Sequence, residues 1–251
     1  MEQIQVVYYG TIGVLKLNRK ITNAINLTFV NALTGKLKEI RKNSDVDGVV
    51  ITSSNDKFFS IGFDIPGLID LSKEDFRNFY HSFNQLCLDM YTFPKPMIAA
   101  ITGHAVAGGC ILALCCDYRF IAEGNKLMGL NEIKLGVPIP YPADRILREL
   151  VGYRNARDIV DSGEFFPPEK LMEMGVVDEV LPLEQVLPMS IKKAKLLGTM
   201  LRQGFEQIKQ NRTEKVEAQI RHDLVEKENI FVERWYSQDA RQRLKEAIKK
   251  F

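Results

Sequence analysis

Pro96-Met-Ile-Ala-Ala-Ile-Thr-Gly-His-Ala-Val-Ala-Gly-Gly-Cys-Ile-Leu-Ala-Leu-Cys-Cys-Asp117 is the stretch on which the reading of this chain turns. Its first part, Met97 to Ile101, is an apolar run bounded by proline, with the length of a buried strand. A turn follows at Gly103. Ala107-Gly108-Gly109 then leads into Ile111-Leu112-Ala113-Leu114, which suits a short buried helix. Strand, glycine turn and helix start in succession leave free backbone N–H groups at the positive end of a helix dipole. Such a place attracts negative charge, and glycine removes the side chains that would hold a ligand oxygen away. The other reading is a glycine pair that lets helix and strand pack closely. This stretch alone leaves both open.

Two named glycine turns do not fit. A phosphate-cradling P-loop ends in Gly-Lys-Ser/Thr, whereas Gly109 is followed by Cys110-Ile111. The dinucleotide fingerprint G-x-G-x-x-G is absent from the turn.

Other motifs surround it in a fixed order. Phe58-Phe59-Ser60-Ile61-Gly62-Phe63-Asp64-Ile65 precedes it; Gly129-Leu130-Asn131-Glu132-Ile133-Lys134-Leu135-Gly136 and Met174-Gly175-Val176-Val177-Asp178-Glu179-Val180 follow. Together they resemble the crotonase (enoyl-CoA hydratase/isomerase) superfamily over nearly the whole chain. Cys116 to Arg119, Gly129 to Glu132 and Phe165-Phe166-Pro167-Pro168 look most like the Δ3,Δ2-enoyl-CoA isomerases of the mitochondrial type. The resemblance implies an α/β fold of the ClpP/crotonase-like kind. That fold is a spiral of ββα units over residues 1–187, with a C-terminal helical region, 188–251, contributing to a homotrimer or a dimer of trimers.

Composition agrees with an ordinary globular protein: 251 residues, 45% hydrophobic and 26% charged. A net charge of +2 gives no general field for nucleic acid or membrane. Cys87, Cys110, Cys115 and Cys116 form no C-x-x-C pair and read as buried small hydrophobes in a reducing compartment. A catalytic thiol is the alternative, with no basic partner nearby in sequence. Met1-Glu2-Gln3 leads straight into a strand-like run, so no signal peptide is expected, and no apolar segment has membrane-spanning length. The expected compartment is cytoplasmic, or the mitochondrial matrix or peroxisome in a eukaryote.

Taken in order, Ile4 to Tyr9 and Gly13 to Leu17 read as a hairpin. Asn26 caps a helix whose Leu27, Val30, Leu33, Leu37 and Ile40 share a face. Gly48 to Thr52 is a strand buried on both faces. Ser72 with Asp75 is a capping box for a helix whose stripe is Phe76, Phe79, Phe83, Leu86 and Met90. Tyr118 to Ala122 and Lys126 to Leu130 read as strands, and Asn131 to Pro142 as irregular. Helical patterns follow at Ala143 to Leu150, Asn155 to Ser162 and Pro168 to Met174, then a strand at Val176 to Leu181. The β/α alternation predicts parallel strands with crossover helices. Beyond Pro188 the chain is helical and charged; it cannot bury its apolar faces alone and must pack on the core or on another subunit.

The resemblance carries roles onto particular residues. The amides of Phe63 and Gly108 are implied as the two donors to a thioester oxygen. Losing one such donor typically costs about 2.7–4 kcal/mol of transition-state stabilisation. Family hydratases use two glutamates, one at the Glu132 position and one just after Gly-Gly-Cys, where this chain has Ile111. Adding water needs paired carboxylates, whereas moving a double bond needs one base, and Glu132 alone suffices for that. An apolar Ile111 would desolvate Glu132 and raise its pKa. Coenzyme A is implied as part of the substrate rather than as a cofactor. It would lie against backbone at Asn23, Ala24, Ile25, Ser60, Ile61 and Gly62, with Lys57 for phosphate; Lys249 and Lys250 read equally as further cations or as a solvated helix end. Asp144 is a candidate for the acyl pocket. Asp64 and Asp117 read as structural caps, and His104 as loop packing. His81, His104 and His222 do not cluster, and no metal is expected.

The expected function is therefore an isomerase taking 3-enoyl-CoA to trans-2-enoyl-CoA. The alternatives are enoyl-CoA hydration or thioester hydrolysis using Asp144. From another class, the alternative is a non-catalytic assembly or RNA-binding protein, for which the basic tail speaks.

Overall fold

The computed structural model describes residues 2–249. Met1 and Lys250, both named above, lie outside them. The chain opens with a hairpin of β1 (Ile4–Tyr9) and β2 (Ile12–Leu17), closed so tightly that Tyr9 pairs with Ile12. Gly10 takes a left-handed φ of 61° in that turn, and β2 therefore starts one residue before the expected Gly13. In α1 (Leu27–Lys42) the Asn26 side chain accepts the Phe29 amide at 3.0 Å, and Val30, Leu33, Leu37 and Ile40 are buried.

Three successive turns of chain then repeat one plan. β3 (Gly48–Ser53) is followed by β4 (Phe58–Ser60), β5 (Met97–Ile101) by β6 (His104–Val106), and β7 (Tyr118–Ala122) by β8 (Met128–Gly129). The longer strand of each pair joins a sheet ordered β1-β2-β3-β5-β7-β10; the shorter joins a second sheet ordered β4-β6-β8-β9. Each turn thus adds one parallel strand to each sheet, which makes the fold a spiral. Helices α2 (Ile65–Leu68) and α3 (Lys73–Tyr91) close the first turn and α4 (Gly108–Leu114) the second. The Ser72 hydroxyl caps α3 by accepting the Asp75 amide at 3.1 Å.

After β8 come α5 (Glu132–Leu135), α6 (Tyr141–Ser162), β9 (Phe165–Phe166), α7 (Pro168–Glu173) and β10 (Glu179–Leu181). The two helices expected at 143–150 and 155–162 are both present within α6, parted at Gly152, whose φ of 73° and ψ of 166° no helix tolerates. The strand expected at 126–130 is only Met128–Gly129, and β6 was not legible because a three-residue strand has no periodicity to read.

The C-terminal helices are α8 (Leu183–Gly198), α9 (Arg202–Trp235) and α10 (Gln238–Ile248). The boundary expected at 187/188 falls inside α8, which carries Pro188 within it. Val186 and Ala194 of α8 are buried against Val14, Val50, Ile98 and Phe120, covering the outer face of the larger sheet. α9 runs along α3: Trp235 stacks on Phe76 with ring centroids 4.4 Å apart, and Phe231 stacks on Tyr80 at 4.0 Å. The Tyr236 hydroxyl donates to the Leu71 carbonyl at 2.7 Å, tying the start of α10 to the entrance of α3.

Candidate active site

The smaller sheet is built from the motifs singled out in the sequence. Its strands β4, β6 and β8 run parallel, so their C-terminal ends lie side by side. Those ends deliver Gly62-Phe63, Gly108 and Glu132 to one edge, the position where open parallel sheets gather ligand chemistry. Phe165 pairs with Gly129 across β9, and a side chain at Gly129 would meet the Phe165 Cα at 3.1 Å. The isomerase-like Gly129 and Phe165 motifs are thus two sides of one contact. Arg119 performs the same service between the Cys116 turn and the Val176 motif, donating to Cys116 O at 2.6 Å and Val176 O at 2.7 Å.

The direction of two backbone amides follows from their partners. The peptide joining Gly62 to Phe63 is trans, so its C=O and N–H point to opposite sides. Its carbonyl accepts the Ile25 amide at 2.8 Å, which sends the Phe63 N–H the other way. The peptide joining Ala107 to Gly108 is oriented likewise: Ala107 O accepts Ile111 N–H at 3.0 Å inside α4, so the Gly108 N–H faces out of the helix start. Neither amide meets an acceptor among the described residues. Ala107 holds a φ of 47° and ψ of −121°, a conformation that costs a non-glycine residue about 1–3 kcal/mol. It is held there by the bond from its N–H to Gly129 O at 2.9 Å.

Glu132 is the acid at this edge. It is only 6% exposed, and its Oε2 has no hydrogen-bond partner among the described residues. Burial pushes its carboxyl from the ordinary 4.5 up to about 7, while the amides of Glu132 and Asn131 pull the other way. No second carboxylate contributes to that rise. Ile111, on α4, is fully buried. The Phe63 ring stands edge-on to Phe79 at 4.9 Å and Phe83 at 4.8 Å, so the residue's ring packs in an aromatic wall while its amide remains free.

The segments expected to meet coenzyme A form a ladder. Ile61 N–H donates to Thr22 O at 3.0 Å, Ile25 N–H to Gly62 O, and the Ser60 hydroxyl to Asn23 O at 2.8 Å. Asn23, with a φ of 47°, spends its side chain on Ser53 Oγ at 2.9 Å, Phe59 O and Arg19 N–H. Asn23 and Ser60 are fully buried and Ala24 nearly so, which leaves backbone rather than side chains for a ligand there. Lys57 is exposed at the opposite end of β4, its ammonium 5.7 Å from the Phe58 ring.

Asp144 is paired with a neighbour on its own helix. Both its oxygens accept from Arg148 Nε at 3.0 Å, and it lines a cavity of about 330 Å³ walled by Ile133, Val137, Tyr141 and Ile230. His104 accepts the Leu127 amide at 3.1 Å, and burial, then Lys126 and Lys57, lower its pKa. The cysteines are free and buried, and burial raises the Cys110 and Cys116 thiols. Asp117 accepts from Lys209 at 2.8 Å and from the Met97 amide at 2.9 Å. Among the described residues no group of His, Cys, Asp and Glu is placed to hold a metal ion, and no helix is long and apolar enough to cross a membrane.

Three residues at this edge escaped the sequence. Nothing in residue type marks Ala107 as strained, and Arg19 lies in a loop without pattern. Tyr80 was findable, since it continues the Phe76 stripe at helical spacing.

Two unpaired amides beside a desolvated carboxyl that titrates near neutrality suit chemistry in which negative charge grows on a carbonyl oxygen as an adjacent carbon loses a proton. Comparisons with known proteins show the family. The family model for enoyl-CoA hydratase/isomerase matches residues 8–251. The chain belongs to the enoyl-CoA hydratase/isomerase family. It is 33% identical over 176 residues to mouse mitochondrial enoyl-CoA delta isomerase 1, a match covering 70% of this chain and 61% of the mouse protein. It is 31% identical over 194 residues to crotonyl-CoA hydratase of Syntrophomonas wolfei, covering 77% of this chain and 73% of that enzyme. Among solved structures, human mitochondrial Δ3-Δ2-enoyl-CoA isomerase superposes with a TM-score of 0.95 at 24% identity, covering 99% of this chain and 97% of that one. Enoyl-CoA hydratase from Bacillus halodurans superposes at 0.89 and 20% identity, covering 97% and 99%. These likenesses establish the enoyl-CoA hydratase/isomerase fold for the chain.

Proposed function

We propose that this family member is an acyl-CoA isomerase that shifts the double bond of a 3-enoyl-CoA to the trans-2 position. The thioester oxygen sits between the Phe63 and Gly108 amides. The Glu132 carboxylate takes a proton from C2, and the electron pair spreads over the dienolate onto the oxygen those amides hold. Glu132, now a carboxylic acid, returns a proton at C4, and the double bond is left between C2 and C3. The acyl-CoA backbone runs along Asn23 to Ile25 and Ser60 to Gly62.

The observation that carries this reading is the solitude of Glu132. Its pKa is raised by burial and not by a neighbouring acid, and an apolar, buried Ile111 stands where the hydratase pattern has its second glutamate. The hydratase reading draws on the S. wolfei relative, at almost the same identity as the mouse isomerase. It asks for a second acid, for which Asp144 is the candidate, and both Asp144 oxygens are engaged by Arg148.

A panel of 3-enoyl- and 2-enoyl-CoA esters tests the choice. Isomerisation of 3-hexenoyl-CoA with no mass gain of one water on crotonyl-CoA is the expected result; hydration of crotonyl-CoA at the higher rate overturns it. We infer further that the chain works as a trimer or dimer of trimers. Ile208 and Val225 of α9 are 68% and 69% exposed, apolar side chains that a neighbouring copy would cover, and sedimentation equilibrium should find the mass of three or six chains.

A further inference from the structure

We propose that Arg19 is a positioning residue for the Phe63 amide, an inference that rests on the isomerase reading above. Phe63 and Ile25 form an isolated parallel bridge, outside either sheet. Two backbone bonds hold it: Ile25 N–H to Gly62 O at 2.8 Å and Asp64 N–H to Ile25 O at 2.9 Å. The first aims the Phe63 N–H, because it fixes the carbonyl of the same trans peptide. A bridge this short has no strand neighbours to stop it from tilting.

Arg19 supplies the missing rung. One guanidinium nitrogen, Nη1, donates to the Ala24 carbonyl at 2.7 Å, and the other, Nη2, to Asp64 Oδ2 at 2.6 Å. The planar fork therefore spans the residue before Ile25 and the residue after Phe63, clamping the bridge from its open side. Arg19 and Asp64 side chains are each only 18% exposed, which shields the pair from screening. The clamp is itself fixed, since Arg19 N–H donates to Asn23 Oδ1 at 2.8 Å and the Asn23 N–H donates to Arg19 O at 3.0 Å. Asp64 stands at the N-cap of α2 yet makes no cap bond. Its carboxylate turns to Arg19 instead, in space that a side chain at Gly67 would narrow to 3.0 Å. Lysine keeps the charge but replaces the planar fork with a single rotating ammonium, so the fixed spacing between the two acceptors is lost.

The test uses two probes on the full-length protein. Acetoacetyl-CoA loses its C2 proton to give an enolate with a near-ultraviolet band that the keto form lacks, and it reports oxyanion stabilisation without turnover. Hexanoyl-CoA, which cannot form the dienolate, reports plain binding. In Arg19→Lys the enolate band per bound ligand and kcat should fall together about tenfold, with the hexanoyl-CoA Kd changed less than twofold. Asp64→Asn, which keeps the acceptor geometry but loses the charge, should fall part-way and serves if Arg19→Lys does not fold. A band and kcat equal to wild type in both variants overturn the proposal. So does a hexanoyl-CoA Kd that weakens in step with the band, since the residue would then only support the fold. A wild-type protein that neither isomerises 3-hexenoyl-CoA nor shows the band sinks the isomerase reading instead, a distinct outcome.

Discussion

A Cβ on Gly62 would stand 2.8 Å from the Gly108 amide nitrogen. The loop after β4 and the start of α4 therefore touch backbone to backbone, and the two proposed donors are neighbours only because neither glycine has a side chain.

Substituting the adjacent glycines should separate site from scaffold. In Gly108→Ala the new methyl meets Gly62 Cα, Ile25 Cδ1 and Phe63 Cδ1, each at 3.2 Å, so the two amides must move apart by a few tenths of an ångström. We expect kcat to fall at least tenfold with the fold retained. In Gly109→Ala the methyl would lie 2.8 Å from the Ser60 carbonyl carbon, an overlap with backbone that cannot swing aside. That variant should lose about 1–3 kcal/mol of stability or more, read by urea denaturation.

Removing the base tests the proton transfer. Glu132→Gln keeps the shape of the side chain but cannot accept a proton, and kcat should drop by about 10²–10⁴. Binding of hexanoyl-CoA, followed by calorimetry, should remain within a few-fold of wild type. Full turnover in this variant would remove Glu132 from the mechanism.

The same carboxyl sets the pH dependence. It must be ionised to take the C2 proton, so kcat/KM should rise with pH and level off above about 7. Stability moves the other way. The folded carboxyl is raised above its unfolded value, so the folded state holds its proton more tightly. The penalty is absent below about 4.5, builds through that window and is complete above about 7. At about 1.4 kcal/mol per unit the full cost is about 3 kcal/mol. Glu132→Gln should therefore be more stable than wild type at pH 8 and nearly equal to it at pH 4.5, by thermal melts at both.

Asp117 offers a prediction about the scaffold. Its carboxylate and the Lys209 ammonium are each 3% exposed and 2.8 Å apart, pinning α9 to the end of α4. Asp117→Asn leaves the lysine buried without its counter-charge and should cost about 3–5 kcal/mol. Asp117→Asn with Lys209→Met removes both buried charges, leaves Arg212, the half-exposed donor to the other Asp117 oxygen, to water, and should recover most of that loss in the same denaturation assay.

Residue order alone carried the reading of the long elements. Met97 to Ile101, the Ser72 cap and the Phe76 stripe were visible because strand and helix periods are local properties, written within one element. So were the four motifs that resemble the enoyl-CoA hydratase/isomerase family, and with them Phe63, Gly108 and Glu132. What no local pattern contains is direction. The aim of the Phe63 amide depends on Ile25, distant in the chain; the strain at Ala107 depends on Gly129; and the reach of Arg19 from Ala24 to Asp64 exists only once both loops are closed. A two- or three-residue strand such as β6 or β8 has no pattern of its own and forms because its neighbours offer unpaired backbone. The chain specified which groups would meet, while the folded structure decided where each of them points and how dry its surroundings are.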